Sequence, residues 1–221
     1  MSDERQEAWR ASGEAAAAQV ESGMRVGLGT GRAAGQGIRA LARRMRDEGL
    51  RMTAVTTSRG STRLARSLGI PLGRLSGPLD LAMDGADAVD PQGLIVKGGG
   101  GAMVRERIVA TAAERFLVLV DGPKMVESLD AWGRLPVAVV PFAAVRVAQE
   151  LDDLVPVRRP GQSDDRLVLI DLHLPAGSDW QAAAARAKAL PGVVDHGLFT
   201  GVPLEHVIVG RPDGSWTTGA G

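Results

Sequence analysis

Short apolar runs alternate with stretches of helical periodicity along the first 131 residues. The runs have the length of buried strands and lie at residues 25–29, 52–56, 79–83, 94–96 and 116–120. Between them, alanine-rich or amphipathic stretches predict helices from residue 3 to about residue 22, and at 33–48, 61–68 and 102–113. Strands that alternate with helices in this way form parallel sheets with helices on both faces. The pattern therefore predicts a three-layer α/β/α, Rossmann-like domain.

From residue 132 the pattern changes. Strands are predicted at 136–140, 155–157, 167–172 and 193–199, with helices at 142–151 and 178–190. This order, β-α-β-β-α-β, is that of the ferredoxin-like α+β fold. We therefore expect residues 132–204 to form a ferredoxin-like domain, inserted into a Rossmann-like domain of residues 1–131 and 205–221 that carries the candidate catalytic residues. A strand at 207–209 returns to the first domain, and the tail at 214–221 is expected to be frayed.

The composition narrows the classes of function. The chain has 221 residues with 26 basic and 26 acidic side chains, so it has no broad positive field to attract nucleic acid or an anionic membrane. It has no cysteine, which excludes a disulfide scaffold, a thiolate nucleophile and a thiolate metal site. The charged first ten residues do not resemble a secretory signal, and no apolar run is long enough to span a bilayer. We expect a cytoplasmic protein.

The first candidate site is the sequence Gly-Leu-Gly-Thr-Gly-Arg at 27–32, between a predicted strand and a predicted helix. Glycines there allow backbone N–H groups to approach an anion, and the helix N-terminus adds partial positive charge, so phosphate is a suitable ligand. A P-loop is excluded because Arg32 and Ala33 follow Gly31. A dinucleotide fingerprint would need an acid after the second strand, where the sequence has Thr-Thr-Ser at 56–58. A tight turn without a ligand is a further alternative.

Two carboxylates, Asp84 and Asp87, directly follow the third predicted strand. In open α/β sheets, the carboxyl ends of the strands face the crevice where ligands bind. Two like charges held close favour protonation of one of them, so one of the pair could serve as an acid. A turn capped by its own aspartates explains the same pattern. A metal site is disfavoured because none of the three histidines, His173, His196 and His206, has ligand spacing to the pair.

The strongest motif is Lys97 followed by four glycines at the end of the next strand. Such a run places several N–H groups around one point, which suits an oxyanion, and Lys97 adds a full charge. Glu106, in the first turns of the following helix, could act as a general base, and a solvated acid on a helix face is the alternative. Lys124, after the last strand of the series, suits phosphate or carboxylate binding. Proton transfer on a small anionic substrate is the chemistry that this combination favours.

These motifs, with Pro-Gly-Val-Val at 191–194 and Gly-Leu-Phe-Thr-Gly at 197–201, resemble the type A ribose-5-phosphate isomerase family nearly end to end. The resemblance implies interconversion of ribose 5-phosphate and ribulose 5-phosphate through a cis-enediol(ate), without a metal or an organic cofactor, by a homodimer or homotetramer. The resemblance also implies a role for each residue. Glu106 is the general base, and Asp84 and Asp87 are acids on the sugar hydroxyls. Lys97, with the amides of Gly98, Gly99 and Gly100, stabilises the enediolate. The residues that contact the phosphate or sugar are Thr30, Gly31 and Lys124.

The phosphate half of the site departs from the family pattern. After Gly31 the family usually has Ser-Thr, where this chain has Arg32 and Ala33, and Trp9 stands where the family often has Lys. The family's Asp-Asn-Gly-Asn segment is replaced by Asp-Asp-Arg-Leu at 164–167. The amides of Arg32 and Ala33, and the Arg32 guanidinium, could still bind phosphate. Two alternatives are a relative that isomerises another aldose or sugar phosphate, and a non-catalytic sugar-phosphate-binding protein.

Overall fold

The computed structural model describes residues 3–219. The helices are Asp3–Ala18 (α1), Arg32–Asp47 (α2), Arg59–Ser67 (α3), Met103–Thr111 (α4), Ala144–Glu150 (α5) and Trp180–Ala189 (α6). The strands are Arg25–Leu28 (β1), Thr53–Thr56 (β2), Leu79–Gly85 (β3), Ala88–Val89 (β4), Ile95–Val96 (β5), Ala113–Asp121 (β6), Arg134–Val139 (β7), Pro156–Arg158 (β8), Val168–His173 (β9), Val193–His196 (β10), Leu198–Phe199 (β11), Leu204–Gly210 (β12) and Trp216–Gly219 (β13).

The chain divides into two compact units. The first contains the described residues up to Ala86, then Arg105–Met125, and the residues from Gly201 onward. The second contains Asp87–Val104 and Val126–Thr200. The domain division expected from the sequence stays a prediction, and the compact units differ from it mainly in placing Asp87–Val104 with the second unit.

The first unit is built on a six-stranded sheet in the order β13-β12-β6-β3-β1-β2. Five of the strands are parallel, and β13 pairs antiparallel with β12 at one edge. β6 contains the continuous apolar run from Phe116 to Val120, whose side chains are all buried, as expected for an inner strand of a sheet covered on both faces. The predicted α/β class with a parallel central sheet is therefore confirmed, and the edge strand makes the sheet mixed.

Two glycines allow close packing of α1 and α2 in this unit. A β-carbon on Gly13 of α1 would lie 2.5 Å from the backbone nitrogen of Gly37 in α2. A β-carbon on Gly37 would in turn lie 2.8 Å from the sulfur of Met83 in β3. Small residues thus bring α2 close to both α1 and the sheet, and this packing positions the N-terminus of α2.

The order of the strands creates a switch point between β1 and β3. In the sheet, β2 lies on one side of β1, whereas β3 and then β6 lie on the other side. The connections that follow β1 and β3 therefore run in opposite directions across the sheet. In open α/β sheets, ligands bind at such a point, outside the carboxyl ends of the strands. The loop after β1 contains Gly29 to Gly31, and β3 ends with Asp84 and Gly85. The topology therefore places the first two sequence motifs next to each other.

The second unit contains the predicted element order as β7-α5-β8-β9-α6-β10. These four strands form an antiparallel sheet in the order β10-β7-β9-β8. Val147 of α5 and Trp180 of α6 share a buried core with Val137 of β7 and Ile170 of β9. This arrangement has the element order of the ferredoxin-like fold.

The single strand predicted at 193–199 is wrong, because the chain there forms two strands in different sheets. β10 pairs with β7, whereas β11 pairs with β5 in a three-stranded sheet of β11, β5 and β4. The break falls at Gly197, which donates its N–H to the carbonyl of Pro136 at 2.7 Å and accepts the N–H of Lys97 at 2.8 Å. A β-carbon at Gly197 would collide with the Lys97 carbonyl, so a glycine is required where the chain changes sheets.

Two further expectations need correction. The first helix ends at Ala18 rather than near residue 22, and the chain turns through Gly23, which has a φ of 98°. The tail is not frayed over Trp216–Gly219, because these residues pair with β12, and residues 220 and 221 lie outside the described residues. Within residues 3–219, no helix combines the length and apolarity needed to cross a membrane.

Candidate active site

Asp84 holds the loop that follows β1. Its Oδ1 atom accepts the backbone N–H of Thr30 at 2.9 Å and that of Gly85 at 2.7 Å, and the residue is only 2% exposed. Gly29 packs directly against this carboxylate, and a β-carbon there would collide with it. The glycine at position 29 is therefore required by the position of Asp84.

A pair of hydroxyl groups joins the same loop to the end of β2. Thr30 Oγ1 and Thr57 Oγ1 lie 2.8 Å apart, within hydrogen-bond distance. Directly after Thr57, Ser58 caps α3 by accepting the N–H of Ser61 in a capping box. The ends of β1, β2 and β3 are thus linked through Thr30.

The N-terminus of α2 has the chemistry of an anion site. Its N-cap residue, Gly31, has a φ of 103° and no side chain to cap the first amides. Apart from its chain neighbours, none of residues 3–219 has an atom within 4 Å of the position that a Gly31 β-carbon would take. The first N–H groups of a helix have no carbonyl partner within it and carry the positive end of the helix dipole. Such an end binds phosphate or carboxylate.

Arg32, the first residue of α2, lies over the ring of Trp9. The guanidinium carbon is 5.2 Å from the ring centroid, and that of Arg5 is 5.4 Å from the same centroid. Trp9 is buried, whereas Arg32 is exposed. The indole therefore supports a guanidinium at the start of α2 through a cation–π contact.

Arg5 also connects α1 to the carboxyl end of β6. Its Nε–H bonds to Oδ2 of the buried Asp121 at 2.8 Å. Asp121 ends β6, and the short 3₁₀ turn Gly122–Lys124 follows it. Lys124 is half-buried in this turn, at the same edge of the first unit's sheet as Thr30.

Glu106 lies in the first turn of α4 and is only 5% exposed. Because α4 leads directly into β6, it runs opposite to the parallel strands, and its first turn lies at the carboxyl edge of the sheet. One turn further along, Val109 packs against Gly27 of β1, where a β-carbon would collide with it. The glycine lets α4 approach the sheet closely. The burial of Glu106 excludes the alternative of a solvated acid on a helix face.

In the second unit, Asp87 lies against the glycine loop that follows β5. Its Oδ2 atom accepts the backbone N–H of Gly99 at 2.5 Å. A β-carbon on Gly99 would lie 2.5 Å from the Asp87 Oδ1 atom, so the carboxylate leaves no room for a side chain. The structure thus brings together Asp87 and the middle of the polyglycine run.

Lys97 begins this loop and is almost fully buried. Its Nζ atom lies 5.4 Å from the ring centroid of Phe199. The chain then turns through Gly98, with a φ of 106°, and Gly101, with a φ of 78°, and the Gly101 N–H bonds to the Gly98 carbonyl at 2.9 Å. These φ values favour glycine, so the backbone conformation of the turn explains why glycine occurs at two of the four positions, Gly98 and Gly101.

The residues predicted for the site are divided between the two units. The first unit holds Thr30, Gly31, Arg32, Ala33, Asp84, Glu106 and Lys124, and the second holds Asp87, Lys97, Gly98, Gly99 and Gly100. Their individual roles stay predictions. Sequence reasoning missed the support of Arg32 by Trp9, the ion pair of Arg5 with Asp121, and the contact of Arg159 with the glycine loop. No local signal could have found them, because the partners lie far apart in the chain.

No group of three histidine, aspartate or glutamate side chains within residues 3–219 is arranged to hold a metal ion. The Asp84 carboxylate and a glycine loop at the switch point of a parallel sheet are typical of the ligand site of an α/β enzyme. The sequence model of the family described as ribose 5-phosphate isomerase A (phosphoriboisomerase A) matches residues 53–214. The chain belongs to this family of isomerases, which interconvert ribose 5-phosphate and ribulose 5-phosphate. The resemblance expected from the motifs is confirmed, and an enediol mechanism with a glutamate base fits the family.

Individual relatives match almost the whole chain. The ribose-5-phosphate isomerase A of Roseiflexus castenholzii is 45% identical over 216 residues, which cover 93% of this chain and 92% of that protein. The enzyme of the same name from Streptococcus thermophilus is 42% identical over 213 residues, 92% of this chain and 93% of that protein. The structure of ribose 5-phosphate isomerase A from Methanocaldococcus jannaschii matches with a TM-score of 0.89 at 33% identity, over 98% of this chain and 99% of that chain. A D-ribose-5-phosphate isomerase in complex with phospho-erythronic acid matches with a TM-score of 0.89 at 28% identity, over 99% of both chains.

Proposed function

We propose that this isomerase interconverts D-ribose 5-phosphate and D-ribulose 5-phosphate, with Glu106 as the general base. The observation that carries the proposal is the burial of Glu106 in the first turn of α4, at the carboxyl edge of the first unit's sheet. A carboxylate held out of bulk water at the ligand-binding edge of an α/β sheet is suited to take a proton from carbon.

The reaction consists of two proton transfers at carbon, both by Glu106, and one proton transfer between the two oxygens of the intermediate. Glu106 removes the proton from C2 of the open-chain aldose, the C–H electron pair forms the C1–C2 double bond, and the C1 oxygen takes the negative charge. In the resulting cis-enediol(ate), a proton moves from the C2 oxygen to the C1 oxygen. Glu106 then returns its proton to C1, and the C2 oxygen becomes the carbonyl. The oxidation of C2 balances the reduction of C1, so the reaction needs no redox cofactor.

The remaining catalytic roles follow the charge that develops on oxygen. Lys97 and the amides of Gly98, Gly99 and Gly100 stabilise the enediolate, since preorganised donors act most strongly where charge develops. Asp84 and Asp87 contact the sugar hydroxyls and assist ring opening and proton transfer between the oxygens. The contact of Asp87 with the Gly99 amide supports a shared role for the acid and the loop.

The phosphate binds at the N-terminus of α2. Thr30, Gly31, Arg32 and Ala33 supply the loop and the first helical amides, and Lys124 adds a second positive charge. The absence of a side-chain cap from Gly31 on the first amides of α2 and the support of Arg32 by Trp9 favour this placement. Arg32 replaces the family's usual hydroxyl with a planar group that can bind phosphate through two hydrogen bonds.

The decisive experiment follows deuterium exchange at C1 and C2 of ribose 5-phosphate in D₂O by proton NMR. The wild-type protein incorporates deuterium and forms ribulose 5-phosphate, whereas Glu106→Gln loses about 10²- to 10⁴-fold in rate while it still binds the sugar phosphate. Glu114→Gln, which changes an exposed glutamate of β6, is the matched control and retains the wild-type rate. Full turnover by Glu106→Gln would remove Glu106 from the mechanism.

The altered phosphate loop favours a second candidate, an isomerase of another aldose or sugar phosphate. Arg32 and Ala33 stand where the family usually has hydroxyl side chains. The two candidates are distinguished by measuring kcat/KM for ribose 5-phosphate and for unphosphorylated and longer aldoses. A value for ribose 5-phosphate of about 10⁴ M⁻¹s⁻¹ or more, above that for the other sugars, supports the first candidate.

We also propose that the enzyme works in the cytoplasm as a homodimer or homotetramer, without a metal or organic cofactor, as the family resemblance implies. Light scattering coupled to gel filtration measures the assembly. Full activity after dialysis against EDTA supports the absence of a required metal, and loss of activity that is restored by a divalent ion contradicts it.

A further inference from the structure

Arg159 contacts both a buried carboxylate and the glycine loop of the second unit. Its Nε–H bonds to Asp171 Oδ2 at 2.7 Å, and its Nη2 pairs with Asp171 Oδ1. Its Nη1 donates to the carbonyl of Gly98 at 2.7 Å and to that of Gly99 at 3.2 Å. The side chains of Arg159 and Asp171 are 16% and 9% exposed, so water competes little for these bonds.

We propose that Arg159, held by Asp171, is a positioning residue that sets the direction of the amides in the glycine loop. The inference rests on the proposed role of the Gly98, Gly99 and Gly100 amides at the enediolate. Arg159 acts through the loop and does not itself touch the substrate.

Peptide geometry links each carbonyl that Arg159 binds to the amide that follows it in the loop. In a trans peptide, the C=O and the N–H of the same plane point in opposite directions. Because the Gly98 carbonyl points to Arg159, the Gly99 N–H points away from it, and it donates to Asp87 Oδ2. In the same way, the bond from Arg159 to the Gly99 carbonyl directs the Gly100 N–H away from the guanidinium. Arg159 therefore binds two successive peptide planes, the first of which is also held by Asp87 and by the bond from the Gly101 N–H to the Gly98 carbonyl.

The loop needs such an anchor because glycine has more backbone freedom than other residues. Gly98, Gly99, Gly100 and Gly101 carry no side chains that could hold their own peptide planes in place. Arginine suits the task because its planar fork binds the Asp171 carboxylate with Nε and Nη2 and leaves Nη1 for the two carbonyls. A lysine has a single nitrogen and cannot make both sets of contacts in this geometry.

The test compares the full-length wild-type chain with Arg159→Met and Arg159→Lys. We expect kcat for ribose 5-phosphate to fall about 10- to 100-fold, because misdirected amides stabilise less charge, while KM stays within about threefold. Binding of phospho-erythronic acid, whose carboxylate presents oxygens like those of the enediolate, should weaken by a similar factor. Arg158→Met changes the exposed arginine that immediately precedes Arg159 and is the matched control. It should leave kcat and the affinity for phospho-erythronic acid unchanged.

A spectroscopic readout separates this inference from the proposed function. In ¹⁵N-glycine spectra, the signals of Gly98, Gly99 and Gly100 should shift or broaden in Arg159→Met while the other glycine signals stay in place. If the wild-type protein does not isomerise ribose 5-phosphate, the proposed function fails, and the spectra still test the anchor. Wild-type kcat in Arg159→Met, or unchanged loop signals, overturns the inference. If Arg159→Met does not fold, Arg159→Lys decides, since it keeps the positive charge beside Asp171.

Discussion

The Asp84 carboxylate accepts the backbone N–H of Thr30 at 2.9 Å and thereby ties the end of β3 to the loop after β1. The same carboxylate packs against Gly29, which has no side chain to keep it away. Asp84, the proposed acid, and the proposed phosphate loop are therefore held together by direct contacts. A change that displaces one of them displaces the other.

Gly29→Ala tests this connection. The added β-carbon collides with the Asp84 carboxylate, so we expect the free energy of unfolding to fall by about 1–3 kcal/mol. We also expect kcat/KM for ribose 5-phosphate to fall at least about tenfold, since the displaced carboxylate no longer orients Thr30. Urea unfolding and steady-state kinetics measure the two effects. Gly73→Ala is the control, because among the described residues only its chain neighbours come within 4 Å of its β-carbon position. Unchanged kinetics in Gly29→Ala would contradict the connection.

Arg32→Ala tests the phosphate site. A hydrogen bond to a charged group contributes about 1.5–3 kcal/mol, so we expect KM for ribose 5-phosphate to rise about 10- to 100-fold with little change in kcat. Arg39→Ala, which removes an exposed arginine from the same helix, should leave KM unchanged. An unchanged KM in Arg32→Ala would show that the Arg32 guanidinium does not bind the phosphate and would favour the second candidate substrate class.

Arg5→Met tests how the N-terminal helix is attached to the sheet. The change removes the ion-pair partner of a buried carboxylate, Asp121, whose other oxygen, Oδ1, has no hydrogen-bond partner among residues 3–219. We expect a loss of about 1–3 kcal/mol in the free energy of unfolding, measured in urea. Asp121→Asn in the Arg5→Met background should recover part of this loss, because it removes the unpaired buried charge.

A double-mutant cycle of Arg5→Met and Asp121→Asn gives the coupling energy of that pair. Arg10→Met is the matched control, because Arg10 forms solvent-exposed ion pairs with Glu7 and Glu14 on the same helix. Such pairs contribute little, so this variant should unfold almost as the wild type does. A coupling energy near zero for Arg5 and Asp121 would show that the pair does not stabilise the fold.

Asp130 makes the stability of the second unit depend on pH. Its carboxylate accepts the backbone N–H of Gly177 at 2.7 Å and the indole N–H of Trp180 at 3.0 Å. These two bonds, chiefly the one from Gly177, hold the pKa of Asp130 below its ordinary value of 3.8. A carboxyl with a lowered pKa stabilises the folded state above its unfolded pKa, and this contribution is lost as the pH falls through the folded pKa.

We therefore expect Asp130→Asn to be less stable than the wild type near pH 7, with a difference that shrinks as the pH falls below 3.8. Urea unfolding at about pH 7 and about pH 3 measures the difference. Asp152→Asn, which changes an exposed aspartate of the same unit, serves as the control. A difference for Asp130→Asn that does not vary with pH would contradict the assigned hydrogen bonds.

The elements that position the site were predictable where each has a strong local signal. The continuous apolar run in β6 and the glycines between β1 and α2 are visible in the sequence, and the alternation of strands with helices implies parallel pairing. The break at Gly197 was missed, because Val193 and Val194 before it and Leu198 and Phe199 after it favour one continuous strand. Whether a β-carbon fits at Gly197 depends on the Lys97 carbonyl, which belongs to a distant part of the chain.

By itself, the sequence determined the fold class, the family, and the loops that carry the candidate residues. The fold class and the loops depend on backbone periodicity and on the conformational freedom of glycine, which are local properties, and the family follows from the resemblance of the motifs. Only the tertiary structure decided that Asp84 binds the amide of Thr30, that Trp9 supports Arg32, and that Arg159 binds the carbonyls of Gly98 and Gly99. A hydrogen bond forms only when donor and acceptor meet at about 3 Å with the right direction, and distant segments meet that condition only after the chain has folded.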